Sequence, residues 1–267
     1  MTTQTDAARS VDGTLIGWSR KGDGAPIVMV GAVMASRQRT PQPALPAALA
    51  EHYTVFTYDR RGTGDSPETS TYAPEREFED LQAVLELAGP EASVYGFSSG
   101  ATLALLAAAH GAPIARLLLL EPPLIADPDL SQREEARRRL GLDRAAARRW
   151  FDEEVVGIPA EVRAQFPAFT EADLANAPAM LHELTFLPGT TANQFSNLKV
   201  PTLLMASDHT SPNLLTRLHE LGAAIPHAVV RVLPGQWHGL ADDVIVGTIG
   251  DFLTGATEHS TAPKERK

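Results

Sequence analysis

The sequence predicts an α/β domain built on a mostly parallel, doubly wound sheet, with a helical cap inserted late in the chain. Three observations carry this. Short apolar runs bounded by Gly and Pro alternate with longer stretches of helical spacing, as expected of strands buried between two helical layers. The alternation stops after Pro122 and resumes at Val200, which marks an insertion. Between them, Ser93 to Ala104 reads as strand, tight turn and helix around Gly96-Phe97-Ser98-Ser99-Gly100.

The elements follow in order. Residues 15–20 form a plausible edge strand before the turn Lys21-Gly22-Asp23-Gly24. Residues 26–30 are a continuous apolar run between Pro and Gly, expected of a buried parallel strand. A helix over 45–52 leads to the strand 53–58, and 74–87 alternates charged and apolar residues at helical spacing. The serine turn starts a helix over 98–110, and 115–120 is the next strand. The insertion shows helical pattern over 131–155 and 171–184. Its Arg-rich start, Arg133 to Arg149, interleaves acids with bases and reads as a solvated helix face. A strand at 200–206, a helix at 212–224, a strand at 228–233 and a helix at 242–253 close the domain. The expected organisation is a core of residues 10–121 and 198–255, a cap of 122–197, and a polar tail at 257–267 expected to be disordered.

Composition narrows the function. A chain of 267 residues with a net charge of −10 is a poor partner for nucleic acid, which wants clustered Lys and Arg. It has no cysteine, so thiolate nucleophiles, disulfides and cysteine metal sites are excluded and a reducing cytoplasm is the expected compartment. The first residues carry no apolar leader, and no run approaches the roughly 18 apolar residues of a membrane span. Neither membrane association nor a cofactor or metal is expected; the expected partner is a small-molecule substrate.

The chemistry centres on Ser98. Glycines two residues to either side allow a turn tight enough to lift the hydroxyl off the sheet edge and to aim the Ser99 N–H at the same spot. A serine hydroxyl is a weak nucleophile until a base takes its proton. His238, in the loop Pro234-Gly235-Gln236-Trp237-His238-Gly239, follows the last strand and sits at the sheet end where ligands bind. His209 is the next candidate, and His182 lies in the insertion, where it could face substrate. A developing oxyanion needs two N–H donors. Ser99 supplies one, and Ala32, in the loop after the 26–30 strand, is the expected second.

These motifs resemble the α/β-hydrolase family over about residues 10 to 255. The turn at Ser98 is one shared element. Tyr58-Asp59-Arg60-Arg61-Gly62-Thr63-Gly64-Asp65-Ser66 resembles the family's D-x-R-G-x-G-x-S loop, where the Asp and Arg hold loops together. Gly235-Gln236-Trp237-His238 resembles its histidine loop. The resemblance implies a serine hydrolase acting on an ester, lactone or thioester. Same-fold alternatives are C–C hydrolysis, cofactor-free peroxidation, acyl transfer, or a small-molecule binder with little turnover. Two departures stand out. Val30-Gly31 replaces the His-Gly that often braces the oxyanion loop. The family's usual acid position falls on Thr210, so the triad acid is either Glu121, at the end of a leucine strand and stiffened by Pro122-Pro123, or Asp208; Glu121 is preferred. Val33, Phe97, Trp150, Phe151, Met180, Phe186 and Trp237 are the expected substrate-lining residues.

Overall fold

The apolar runs become strands whose alternate residues are buried on opposite faces. The computed structural model describes residues 3–69 and 71–255, so the tail at 257–267 lies outside the described residues. The strands are β1 (Gln4–Arg9), β2 (Leu15–Lys21), β3 (Pro26–Val30), β4 (Thr54–Tyr58), β5 (Ser93–Phe97), β6 (Arg116–Leu120), β7 (Thr202–Ser207) and β8 (Val229–Leu233). They form one sheet in the order β1-β2-β4-β3-β5-β6-β7-β8. The pairs β1–β2 and β2–β4 are antiparallel and the rest are parallel. Val28, Val94, Leu117, Leu119 and Leu204 pack into one core, while Ile27, Tyr95, Leu118, Leu120 and Leu203 pack into the other. This period of two, with both faces buried, is why the strands read as unbroken apolar runs.

Helices cover both faces. The first core takes in Leu81 and Val84 of α2 (Pro74–Ala88), Leu103 of α3 (Ser99–Ala109) and Leu218 of α9 (Pro212–Ala224). The second takes in Leu45 and Leu49 of α1 (Leu45–Leu49) and Ile245 and Ile249 of α10 (Asp242–Thr254). Between β6 and β7 the described residues hold no named strand. They hold α4 (Ser131–Leu140), α5 (Arg144–Trp150), a π-helical turn (Phe151–Val155), α6 (Ala160–Arg163), α7 (Glu171–Ala175) and α8 (Met180–Phe186), with 3-10 turns at Ala177–Ala179 and Ala192–Phe195. This segment has its own small core of Ala136, Ala147, Phe151, Ala177, Met180 and Leu184, into which Met34 of the loop after β3 inserts.

Two expectations are corrected. The edge strand expected at 15–20 is interior, because β1 pairs along its whole length. Only Ala8 of β1 is buried, so its polar sequence gave no hydrophobic signal. The long helices expected at 131–155 and 171–184 are broken. The first stops at Gly141 and restarts behind Asp143, whose side chain accepts from Ala145 N and Ala146 N. The second is interrupted at Asn176-Ala177-Pro178, where the proline has no N–H to give.

The Asp59-Arg60-Arg61 loop is locked by buried charge. Arg61 grips Asp80 through Nε and Nη2, both at 2.7 Å, and Arg60 grips Glu77 at 2.6 and 2.8 Å. Asp59 accepts from the backbone N and Nε of Arg37 at 2.6 and 3.0 Å. Bidentate guanidinium–carboxylate pairs of this kind fix orientation as well as charge.

Candidate active site

The end of β5 delivers Ser98 in a backbone conformation that residues with a side chain rarely adopt, with φ of 54° and ψ of −127°. Its N–H still bonds Leu120 O at 2.9 Å, so the strand ladder holds the turn from below. A side chain at position 96 would strike Ala101 Cα at 2.5 Å, and one at position 100 would collide with the carbonyl oxygens of Val30 and Gly31. Both glycines are therefore required for the serine to stand where it does.

His238 reaches the same point from the loop after β8. Its loop is pinned by Gln236 N donating to Gly239 O at 2.9 Å, and the imidazole lies between the rings of Phe97 and Trp237, with centroids 5.0 and 5.3 Å away. His238 Nε2 is 2.9 Å from Ser98 Oγ. His238 Nδ1 is hydrogen bonded to Glu121 Oε2. Glu121 leaves β6 directly beneath, with its N–H on Met205 O at 2.9 Å. Its carboxylate is buried and accepts from Ser207 N and Thr210 Oγ1, each at 2.8 Å.

Asp208 is not brought to the histidine, which corrects its candidacy. Its Oδ1 accepts from Gly235 N at 3.0 Å and contacts His209 Nδ1 at 2.8 Å. The His209 hydrogen bond, then the Gly235 N–H, hold its carboxyl below the usual range. His209 is exposed, and its ring bonds Asp208. Asp208 N is held on Leu233 O at 2.9 Å, and Thr210, at the position where the resemblance would place an acid, donates to Glu121 instead. Thr210 and Ser207 hold the Glu121 carboxylate, a contact that leaves no local signal in the sequence.

Next to Ser98 lies a cleft of about 250 Å³, lined by Val33, Ser98, Ser99, Pro123, Leu124, Ile125, Phe151, Val155, Val156, Glu183, Leu187, Ser211, Asn213, Leu214, Arg217, Trp237 and His238. Of the expected lining residues, Val33, Phe151 and Trp237 are there, and Phe97 instead packs on the histidine ring. Three are corrected. Trp150 packs against the small core formed between β6 and β7, with the Arg139 guanidinium over its ring. Met180 is fully buried in that core. Phe186 belongs to the main core beside Arg60. Helical spacing marks these positions as apolar without saying which buried face they serve. His182 does not face the cleft either; it bonds Glu68 at 3.0 Å and stacks on Tyr72 at 3.9 Å.

Among the described residues, neither Ser99 N nor the N–H groups of Ala32 and Val33 donate a hydrogen bond within the protein. Glu183, also absent from the sequence reading, comes from α8. Its Oε1 meets Arg60 Nη1 at 2.5 Å and accepts from Ser99 Oγ at 3.1 Å. Burial pushes the Glu183 carboxyl above the usual range, Arg60 only partly offsetting it. Burial acts the same way on Glu77, but there the Arg60 charge and hydrogen bonds prevail and the net direction is downward. One guanidinium thus serves two carboxyls, and Glu183 is the one that keeps its proton more readily. Among the described residues, no cluster of three or more His, Asp or Glu could hold a metal ion, and no helix is long and apolar enough to cross a membrane.

A family model described as the alpha/beta hydrolase family matches residues 27–244. Among solved structures, the chain is similar to an alpha/beta hydrolase from Sphaerobacter thermophilus, at 35% identity and a TM-score of 0.83, covering 93% of this chain and 100% of that chain. It shares its fold with an enol-lactonase from Burkholderia xenovorans, at 24% identity and a TM-score of 0.70, covering 93% and 100% of the two chains. It also shares it with a thermophilic esterase from Thermogutta terrifontis, at 20% identity and a TM-score of 0.76, covering 94% and 98%.

Proposed function

Because the chain belongs to the alpha/beta hydrolase family and is an enzyme of hydrolase type, we propose that it cleaves a carboxylic ester, lactone or thioester of a small, largely apolar substrate through an acyl-enzyme on Ser98. The observation that carries this is the unbroken relay from Ser98 Oγ to His238 Nε2 and from His238 Nδ1 to Glu121, opening on an apolar cleft. The enol-lactonase and the esterase among its structural relatives are in keeping with an ester or lactone.

In this mechanism Ser98 Oγ attacks the carbonyl carbon while its proton passes to His238 Nε2. Glu121 holds the neutral imidazole with its proton on Nδ1 and stabilises the imidazolium that forms. The carbonyl oxygen becomes an oxyanion and takes hydrogen bonds from Ser99 N–H and the Ala32–Val33 turn. Collapse of the tetrahedral intermediate expels the alkoxide or thiolate, which leaves with the proton from Nε2. Water then enters, gives a proton to His238 and attacks the acyl carbon, and a second collapse returns the proton to Ser98 and releases the acid. No cofactor enters these steps. The lack of cysteine fits a reducing cytoplasm as the working compartment.

A fluorophosphonate probe with peptide mapping tests the nucleophile without knowledge of the substrate. The label is expected on Ser98, and Ser98→Ala should lower kcat toward chromogenic esters by about a millionfold, leaving the remnant due to binding and the oxyanion donors. Labelling of Ser99, or folded protein that takes no label and shows no acyl-enzyme burst, would refute the proposal and favour a binding protein.

A further inference from the structure

We propose that Glu183, delivered by the cap, and Arg60 act as a positioning pair that ties the two sides of the oxyanion pocket together, making cap docking a condition of catalysis. The proposal rests on the serine-hydrolase reading above. Its starting point is a deficit in the sequence: from Val30 to Ala35 the loop after β3 carries no polar side chain. The loop's own hydrogen bond is the turn from Ala35 N to Ala32 O, and side-chain bracing comes from other elements, Asn176 donating to Met34 O among them.

Arg60 supplies it from the side. Its Nη1 contacts Gly31 O at 3.4 Å, next to the Ala32–Val33 turn, and Glu183 Oε1 at 2.5 Å. The same Glu183 oxygen accepts from the hydroxyl of Ser99 at 3.1 Å, and Ser99 carries the opposite N–H. The chain Gly31 O–Arg60–Glu183–Ser99 thus spans the pocket from one donor to the other. Glu77 clamps the far side of the Arg60 guanidinium, so the arginine cannot swing away. Arg60, Glu77 and Glu183 are all buried, where hydrogen bonds gain strength and broken ones are costly.

The second oxygen, Glu183 Oε2, is buried without a partner among the described residues. Oε1 therefore carries both contacts, accepting from Arg60 and from Ser99 together. Without Glu183 the guanidinium loses one of its two carboxyl partners and Ser99 Oγ loses its only described acceptor. Since Glu183 rides on α8, a lifted cap leaves the oxyanion pocket unbraced.

The test compares Glu183→Ala, Glu183→Gln and Ser99→Ala. Each is measured for kcat and KM on a chromogenic ester and for affinity toward a boronic acid that forms a tetrahedral adduct on the serine. Glu183→Ala should lower kcat and boronate affinity together by about 10–100-fold, the cost of a small misplacement of catalytic groups, with KM little changed. Glu183→Gln keeps the accepting oxygen and should stay within a few-fold of wild type. Ser99→Ala keeps the backbone N–H and should lose several-fold in kcat; it decides the matter if Glu183→Ala does not fold. A rise in KM at unchanged kcat would make Glu183 a substrate contact and overturn the proposal. So would a Gln variant as impaired as the Ala one. Failure of wild type to label at Ser98 would strike the parent reading instead.

Discussion

Replacing Glu121 with Gln changes one atom and should remove nearly all turnover. The Glu121 carboxylate meets three donors: Ser207 N on Oε1, and Thr210 Oγ1 and His238 Nδ1 on Oε2. A glutamine amide can satisfy them in neither orientation. With its oxygen toward His238, its NH2 confronts the buried Ser207 N–H, an unsatisfied contact of about 1–3 kcal/mol. With its NH2 toward His238, the imidazole must accept at Nδ1 and carry its proton on Nε2, where the lone pair for the Ser98 proton is needed. In both orientations the charge that stabilises the imidazolium is gone. A wrong tautomer costs about 10⁴ in kcat, equivalent to about 5 kcal/mol of barrier. The assay is steady-state hydrolysis of a chromogenic ester, with thermal melts to confirm folding. Asp208→Asn, which touches only His209 and Gly235 N, should stay within about tenfold of wild type. Glu121→Gln within tenfold of wild type, or Asp208→Asn as the more damaging change, would refute the argument.

Two further outcomes follow from the cleft and the buried charges. Phe151→Ala should alter the ratio of kcat/KM between short and long acyl chains by about 10–200-fold, whereas Trp150→Ala should leave that ratio unchanged because Trp150 does not line the cleft; equal shifts from the two variants would contradict this division. Burial raises Glu183 above its ordinary value of 4.5, so above that pH native protein keeps a proton the unfolded chain releases, and stability falls as pH rises. Glu183→Gln removes that slope, while Arg60, Glu77 and His182 around it remain, so its melting temperature relative to wild type should climb from pH 4 to pH 8; a constant difference would refute the assignment.

The sheet was legible because burial on both faces leaves an unmistakable apolar signature, from Ile27 and Val28 to Leu203 and Leu204. β1 escaped notice because one face of an outer strand meets water and only Ala8 is buried. Ser98 and His238 stood out because tight turns demand glycines on either side, and that requirement is local. Glu121 could be argued from a carboxylate closing an apolar strand. Its partner Thr210 lies 89 residues away in sequence, and Glu183 lies 84 residues from Ser99. Contacts that distant leave no spacing to read. Within the cap, Phe151, Met180 and Phe186 are alike as apolar letters, and only packing divides the cleft wall from the two cores.

The residues of the proton relay share one backbone property. Ser98, Glu121 and His238 have φ of 54°, 49° and 51°, a region that disfavours any side chain, at about 1–3 kcal/mol each. Against a typical domain stability of about 5–15 kcal/mol, this is a considerable share of the whole. Glycine would relax Ser98 and His238 at an entropic cost of only about 0.5–1 kcal/mol. Random variants of this chain sorted by heat resistance alone would therefore drift toward glycine at position 98, where no buried partner is left unpaired, yielding sturdier proteins with no reaction left in them. Any effort to toughen the enzyme has to select for turnover at every round.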